Sequence, residues 1–151
     1  VAEDFHARFS ARSKTYRYQI RNAPIAMPFE QQYVWHLPER LSFDAMQRAA
    51  ALLIGTHDFA AFRSAGGETA TTVRTVTQSE WRAETGLLVY EISGNGFLRH
   101  MVRAIVGTLV EVGRGWRAAD GVGALLGGGA RGDAGATAPP HGLFLVCVDY
   151  D

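Results

Sequence analysis

The chain has 151 residues, a length typical of one domain, and 47% of them are hydrophobic, as in an ordinary globular core. No apolar run is long enough to cross a membrane, and the first residues lack the basic start and apolar stretch of a signal peptide. The formal net charge is zero, but fourteen of the 15 basic residues are arginine, and four of these lie within the first 21 residues. Such a bias favours a surface that binds phosphate groups, although compositional bias of the source would also produce it.

A single cysteine, Cys147, excludes an intramolecular disulfide, and its apolar surroundings, "LFLVCVDY", predict a buried and unreactive thiol. The five histidines show no metal-ligand spacing, so we expect no metal site. These features predict a cytoplasmic, metal-free protein. Because the chain does not begin with Met, we expect it to be cut from a longer one.

Residues 15–21, "TYRYQIR", alternate in the manner of a β-strand. Tyr16 and Tyr18 share an apolar face, whereas Arg17 lies on the opposite, polar face. "QQYVWHL" predicts a short second strand. Ser42 is placed to cap a helix that extends to about Leu53, and the sequence from Gly55 to Thr72 is expected to be a polar loop. "TTVRTVTQSEW" and "GLLVYEIS" predict a β-hairpin that turns at Glu84-Thr85-Gly86.

The C-terminal half contains the clearest helical pattern, "NGFLRHMVRAIVGTLVEVGRG", in which apolar residues recur at helical spacing. A weak helix is expected over 118–126, followed by a loose Gly-rich loop. The last stretch, "GLFLVCVDY", is apolar on both faces and predicts a central strand buried on both sides. Together the elements predict one α+β domain, a mostly antiparallel sheet with helices packed on one face.

Several polar and aromatic residues suggest a cleft for an anionic ligand. Arg99, His100 and Arg103 fall in the first two turns of the predicted long helix, where Arg103 borders the apolar stripe. Such an arginine either reaches solvent or faces an anion. Tyr16 and Tyr18, next to arginines, either pack in the core or stack on bases. From these patterns alone no activity follows.

Four stretches together resemble the tRNA pseudouridine synthase A family, in the family's order and spacing: "DFHARFSARSKTYRY", "GTHDFAAFR", "GNGFLRHMVRAIVGTLVEVG" and "GLFLVCVDY". The resemblance covers nearly the whole chain. It implies that residues 1–151 are the C-terminal domain of an enzyme with two α+β halves around a central cleft. Such enzymes isomerise uridine to pseudouridine in the anticodon stem-loop of tRNA, without a cofactor, as homodimers. The target base has to leave the stack and enter a pocket.

The resemblance also implies roles for individual residues. Tyr16 would lie against the flipped uracil, Arg103 would pair with the catalytic carboxylate and keep it ionised, and Leu143 would pack against the nucleotide. Further candidates for substrate or RNA contacts are Arg8, Arg63, Asn95, Phe97 and His100.

The family's catalytic aspartate lies in a "GRTDAGVHA" motif of the N-terminal half, which this sequence does not contain. "ARGDAGATA" at 130–138 mimics that motif, but it falls where the family has a variable loop, so Asp133 is not expected to be catalytic. We therefore expect this chain alone to be inactive. The alternatives are a non-catalytic RNA-binding module and a dimerisation domain on the same scaffold.

Overall fold

The computed structural model describes residues 11–64 and 71–150, which form one mixed sheet with helices on one side. The strands are β1 (Ala11–Arg21), β2 (Trp35–His36), β3 (Gly55–Asp58), β4 (Val73–Glu84), β5 (Leu87–Gly94) and β6 (Leu143–Tyr150). The α-helices are α1 (Phe43–Ala51) and α2 (Met101–Gly113). Short 3₁₀ helices span Pro28–Glu30, Ala60–Phe62, Ala119–Leu126, Arg131–Asp133 and Pro140–Gly142.

The strands follow the order β2-β1-β5-β4-β3, and β6 also pairs with β1. Every pairing is antiparallel except the two-residue contact between β1 and β2. Because β5 occupies one edge of β1, β6 and β2 share the other edge. This arrangement confirms the predicted α+β fold.

The hydrophobic core lies between α1, α2 and one face of the sheet. Tyr18 and Ile20 of β1, Tyr90 of β5 and Trp81 of β4 are all buried on this face, as their register across the sheet requires. The opposite face is polar, and there Glu91 accepts hydrogen bonds from Arg17 and Arg82. The alternation seen in "TYRYQIR" is therefore the alternation between core and solvent.

Two local predictions are confirmed. Ser42 caps α1, and its hydroxyl oxygen accepts a hydrogen bond from the Ala45 N–H at 3.3 Å. The β4–β5 hairpin turns through Thr85 and Gly86, which both adopt positive φ. No helix in the described parts of the chain is long and apolar enough to span a membrane.

The prediction for the last strand is wrong. β6 lies at the outer edge of β1, and Leu145, Val146 and Cys147 are exposed rather than buried on both sides. An apolar sequence indicates that the side chains of a strand are buried in the complete protein, but it does not show which element buries them. Cys147 is accordingly an exposed free thiol, contrary to the expected buried one.

Other boundaries also differ. The predicted second strand is only the two-residue β2, and the expected polar loop after Gly55 contains β3 and a 3₁₀ turn. The long helix begins at Met101, several residues later than its pattern predicted, because His100 adopts a left-handed conformation with φ of 59°. Arg99 therefore precedes the helix rather than lying in its first two turns, as the pattern predicted.

Candidate active site

Tyr16 lies at the rim of the core, on the sheet face that carries the helices. Its ring meets the ring of Phe97 edge to face, with centroids 5.1 Å apart and an interplanar angle of 87°. Both residues are only partly buried. Burial raises the pKa of the Tyr16 hydroxyl above its ordinary value, so the phenol is protonated at neutral pH. The two rings form an accessible aromatic surface at the start of the segment that leads into α2.

Leu143 is the first residue of β6 and stands opposite Tyr18 of β1. Directly opposite residues of an antiparallel pair lie on the same face of the sheet, so Leu143 shares the face of the two tyrosines. Leu145 stands opposite Tyr16 by the same register and is 53% exposed. Leu145 is not among the residues predicted for the site, although its spacing of two from Leu143 places it on the same face of the strand.

Arg103 lies in the first turn of α2 and is partly buried. Its Nε–H donates to the carbonyl oxygen of Ala138 at 2.8 Å, and the Ala138 N–H donates back to the Arg103 carbonyl at 3.0 Å. The hydroxyl of Tyr18 donates to the next carbonyl, that of Pro139, at 2.6 Å. The backbone of 138–139 therefore connects α2 with β1.

The partner expected for Arg103 is a carboxylate, and within residues 11–64 and 71–150 none lies at salt-bridge distance from it. Its Nη nitrogens likewise donate to no described residue. The positive charge of Arg103 nevertheless affects the pKa of the neighbouring Tyr18. Burial raises the pKa of Tyr18, and Arg103 opposes this shift by favouring the phenolate.

His100 and Ser64 join the segment before α2 to the segment after the 3₁₀ turn Ala60–Phe62. The His100 Nδ1 and the Ser64 hydroxyl are 2.9 Å apart, and the Ser64 N–H donates to the Arg99 carbonyl at 3.1 Å. Desolvation lowers the pKa of His100, and the nearby positive charges of Arg103 and Arg99 lower it further. The neutral imidazole is therefore favoured at pH 7.

The remaining candidates occupy different settings. The side-chain oxygen of Asn95 accepts from the Thr75 N–H at 2.9 Å, which anchors the end of β5 to β4. Arg63 is partly buried next to Ser64, and its guanidinium donates to no described residue. Arg8 lies outside the described residues. Substrate contacts of these residues stay predictions.

Asp133 is the last residue of the 3₁₀ helix Arg131–Asp133 and does not contact the described candidate site residues. One of its carboxylate oxygens accepts from the Ala130 N–H at 2.9 Å, and its carbonyl accepts from Arg117. No hydrogen bond or ion pair joins it to Arg103. Among the described residues, no group of three or more His, Cys, Asp and Glu side chains is arranged to hold a metal ion.

Comparison with known proteins identifies relatives of this chain. A family model described as tRNA pseudouridine synthase matches residues 49–151. The tRNA pseudouridine synthase A of Syntrophotalea carbinolica is 49% identical over 150 residues, which cover 99% of this chain and 60% of the relative. The proteins of the same name from Acetivibrio thermocellus and Bacillus pumilus are 46% and 47% identical, and the matches cover 62% and 61% of their lengths. The chain thus spans about three fifths of the length of these relatives.

Proposed function

The chain belongs to the tRNA pseudouridine synthase family, and from this membership we propose that it is the C-terminal half of an enzyme that isomerises uridine in the anticodon stem-loop of tRNA. In this reaction the bond between uracil and ribose breaks, the base turns, and a carbon–carbon bond forms in its place. The new bond forms at C5, whose proton leaves to solvent while N1 gains a proton, so the composition of the nucleotide is unchanged and no cofactor is required. A carboxylate acts as nucleophile or base at the sugar or the ring.

The main structural support for the proposal is the position of the Arg103 guanidinium. A partly buried guanidinium that has one nitrogen fixed and no described carboxylate in reach is suited to an anion supplied by another part of the protein. We assign that anion to the catalytic aspartate of the N-terminal half. An adjacent guanidinium keeps such a carboxylate ionised at neutral pH.

Tyr16 and Leu143 are assigned to the flipped nucleotide. Uracil has a π-face that an aromatic ring stacks against, and such contacts are typical of proteins that hold unstacked bases. The edge-to-face contact with Phe97 fixes the plane of the Tyr16 ring. The Tyr16 hydroxyl, which hydrogen-bonds no described residue, stays available to the base.

The exposed edge strand β6 supports the assignment of partners. Its apolar residues Leu145 and Val146 are 53% and 44% exposed, and the relatives are longer than this chain. We assign the N-terminal half as the element that covers this edge in the whole enzyme. The enzyme is further proposed to be a cytoplasmic homodimer that binds tRNA.

The proposal is tested with the full-length protein that contains this chain and with the 151-residue chain alone. Pseudouridine formation on an unmodified tRNA is followed by release of the uracil C5 hydrogen as tritium. We expect activity from the full-length wild type and none from the chain alone. Arg103→Ala should abolish detectable turnover, whereas Arg40→Ala, a change at an exposed arginine just before α1, should leave it unchanged.

Activity of the isolated chain would overturn the assignment of the carboxylate to the N-terminal half. Full-length protein that binds an anticodon stem-loop with a steep salt dependence but forms no pseudouridine would instead support the non-catalytic RNA-binding module.

A further inference from the structure

The segment 134–142, here called the strap, crosses the outer surface of α2 and is held there by backbone hydrogen bonds. The Gly135 N–H donates to the Thr108 hydroxyl at 2.9 Å, and the Ala136 N–H donates to a Glu111 carboxylate oxygen at 3.2 Å. With the Ala138–Arg103 bond, these contacts extend over more than two turns of the helix. Ala138 has no exposed surface. The predicted loose loop is therefore wrong for this segment.

Glycine at two positions permits this close approach. A Cβ atom on Gly107 of α2 would lie 1.6 Å from the carbonyl oxygen of Ala136, a distance that no arrangement of the strap tolerates. A Cβ atom on Gly135 would lie 2.9 Å from the Cα of Thr108. The obstacle at Gly107 is backbone, and at Gly135 the Thr108 backbone adds to the Glu111 carboxylate group, whose atoms would lie 2.8 Å from the added Cβ. A side chain at either position would therefore displace the strap from the helix.

We propose that the strap sets the direction of the Arg103 guanidinium, with Gly107 as a positioning residue for it. The guanidinium is planar and its N–H donors point in fixed directions. Once Nε–H donates to the Ala138 carbonyl, the plane of the group is fixed, and only Nη1 and Nη2 remain for a carboxylate. The catalytic aspartate should therefore be bound end-on, by the two Nη nitrogens, and not side-on through Nε.

The strap also fixes the other wall of the site. The Pro139 carbonyl oxygen accepts a hydrogen bond from the Tyr18 hydroxyl, and a Cβ on Gly142 would lie 2.8 Å from the Tyr18 ring. The strap is therefore in close contact with β1 where it joins β6. Leu143 follows directly. One backbone segment therefore positions both Arg103 and Leu143. This inference rests on the proposed function.

The test compares Gly107→Ala with Gly121→Ala. An added Cβ at Gly121 meets nothing within 4 Å, so this variant controls for the change of residue type. In the 151-residue chain, the Nε–H signal of Arg103 is followed by ¹⁵N NMR. We expect slow hydrogen exchange in the wild type and in Gly121→Ala, and exchange at least about tenfold faster in Gly107→Ala, since an unbonded guanidinium N–H is open to water.

In the full-length enzyme, Gly107→Ala should lower kcat by about 10- to 100-fold, because a misplacement of about 1 Å at a reacting group has effects of this order. The fall in kcat should exceed any rise in KM for tRNA, since displacement of Leu143 affects one contact to the nucleotide, whereas misplacement of Arg103 affects the reacting carboxylate. A general loss of folded protein would instead lower activity in proportion to the folded fraction.

Thr108→Val provides a second variant if Gly107→Ala does not fold. It keeps the shape of the side chain and removes the acceptor of the Gly135 N–H. We therefore expect faster Nε–H exchange of Arg103 and a lower kcat, with smaller effects than in Gly107→Ala. Unchanged Nε–H exchange or unchanged kcat in folded variants would overturn the positioning role. Faster exchange in Gly107→Ala, with no synthase activity in the wild-type enzyme, would support the strap and overturn the proposed function.

Discussion

Tyr16 and Tyr18 are two residues apart on β1, yet their hydroxyl groups have different surroundings. The Tyr18 ring is fully buried and its hydroxyl donates to the Pro139 carbonyl at 2.6 Å. The Tyr16 ring is partly exposed and its hydroxyl hydrogen-bonds no described residue. Two tyrosines with the same place in the alternation are thus predicted to have different tasks, one in the core and one at the candidate site.

Replacement of each tyrosine by phenylalanine separates these tasks. Tyr18→Phe leaves the Pro139 carbonyl without its donor, and we expect the free energy of unfolding to fall by about 1–2 kcal/mol. Tyr16→Phe should change it by less than about 0.5 kcal/mol, because no hydrogen bond to a described residue is lost. Urea denaturation followed by circular dichroism measures both. Equal losses would show that the Tyr16 hydroxyl also has a structural partner.

The sequence predicts which side chains are candidates for the site, but it does not predict their backbone hydrogen-bond partners. Tyr16 and Arg103 could be named from motifs, because their letters are specific. Arg103 donates to the backbone carbonyl oxygen of Ala138. Because every residue has such a carbonyl, the residue types in the sequence do not indicate which one accepts the hydrogen bond. The left-handed conformation of His100, whose ring contacts the distant residue Ser64, likewise has no signal in the neighbouring sequence.

Among the elements, those governed by local rules were predicted well. The cap and extent of α1, the alternation of β1 and the β4–β5 hairpin follow from neighbouring residues alone. The strap was misjudged because its glycines suggested flexibility, whereas Gly135 allows close packing on α2. Glycine permits both outcomes, and only the packing partner distinguishes them.

The cap of α1 gives a direct test at the scale of one element. Ser42→Ala removes the oxygen that accepts the Ala45 N–H, and loss of an N-cap side chain costs about 1 kcal/mol. Ser42→Asp retains a capping oxygen and adds a negative charge at the positive end of the helix, so it should preserve stability.

Thermal or urea unfolding of the two Ser42 variants at neutral pH provides the measurement. If Ser42→Asp were as destabilising as Ser42→Ala, the hydrogen bond at 3.3 Å would not be the source of the effect.

For the whole molecule, the position of β6 is the main departure from expectation. The apolar run "LFLVCV" has the composition of a strand covered on both sides, but among the described strands it pairs with β1 alone. Exposed edge strands with apolar side chains are prone to pair with other chains. The mismatch between composition and exposure is what a strand covered by a further domain would show, in accordance with the greater length of the relatives.

Under the proposal that the N-terminal half covers β6, the chain alone should self-associate through this edge. Sedimentation velocity over a range of concentrations should show a weight-average mass that rises with concentration. Val146→Lys should reduce this association, because lysine on an edge strand opposes pairing. Val73→Lys is the matched control, since Val73 on β4 is 45% exposed and Val146 is 44% exposed. A monomer at all concentrations, or equal effects of the two lysines, would contradict association through β6.

In the full-length enzyme Val146→Lys should instead lower the free energy of unfolding, because the lysine would then be placed at a covered edge.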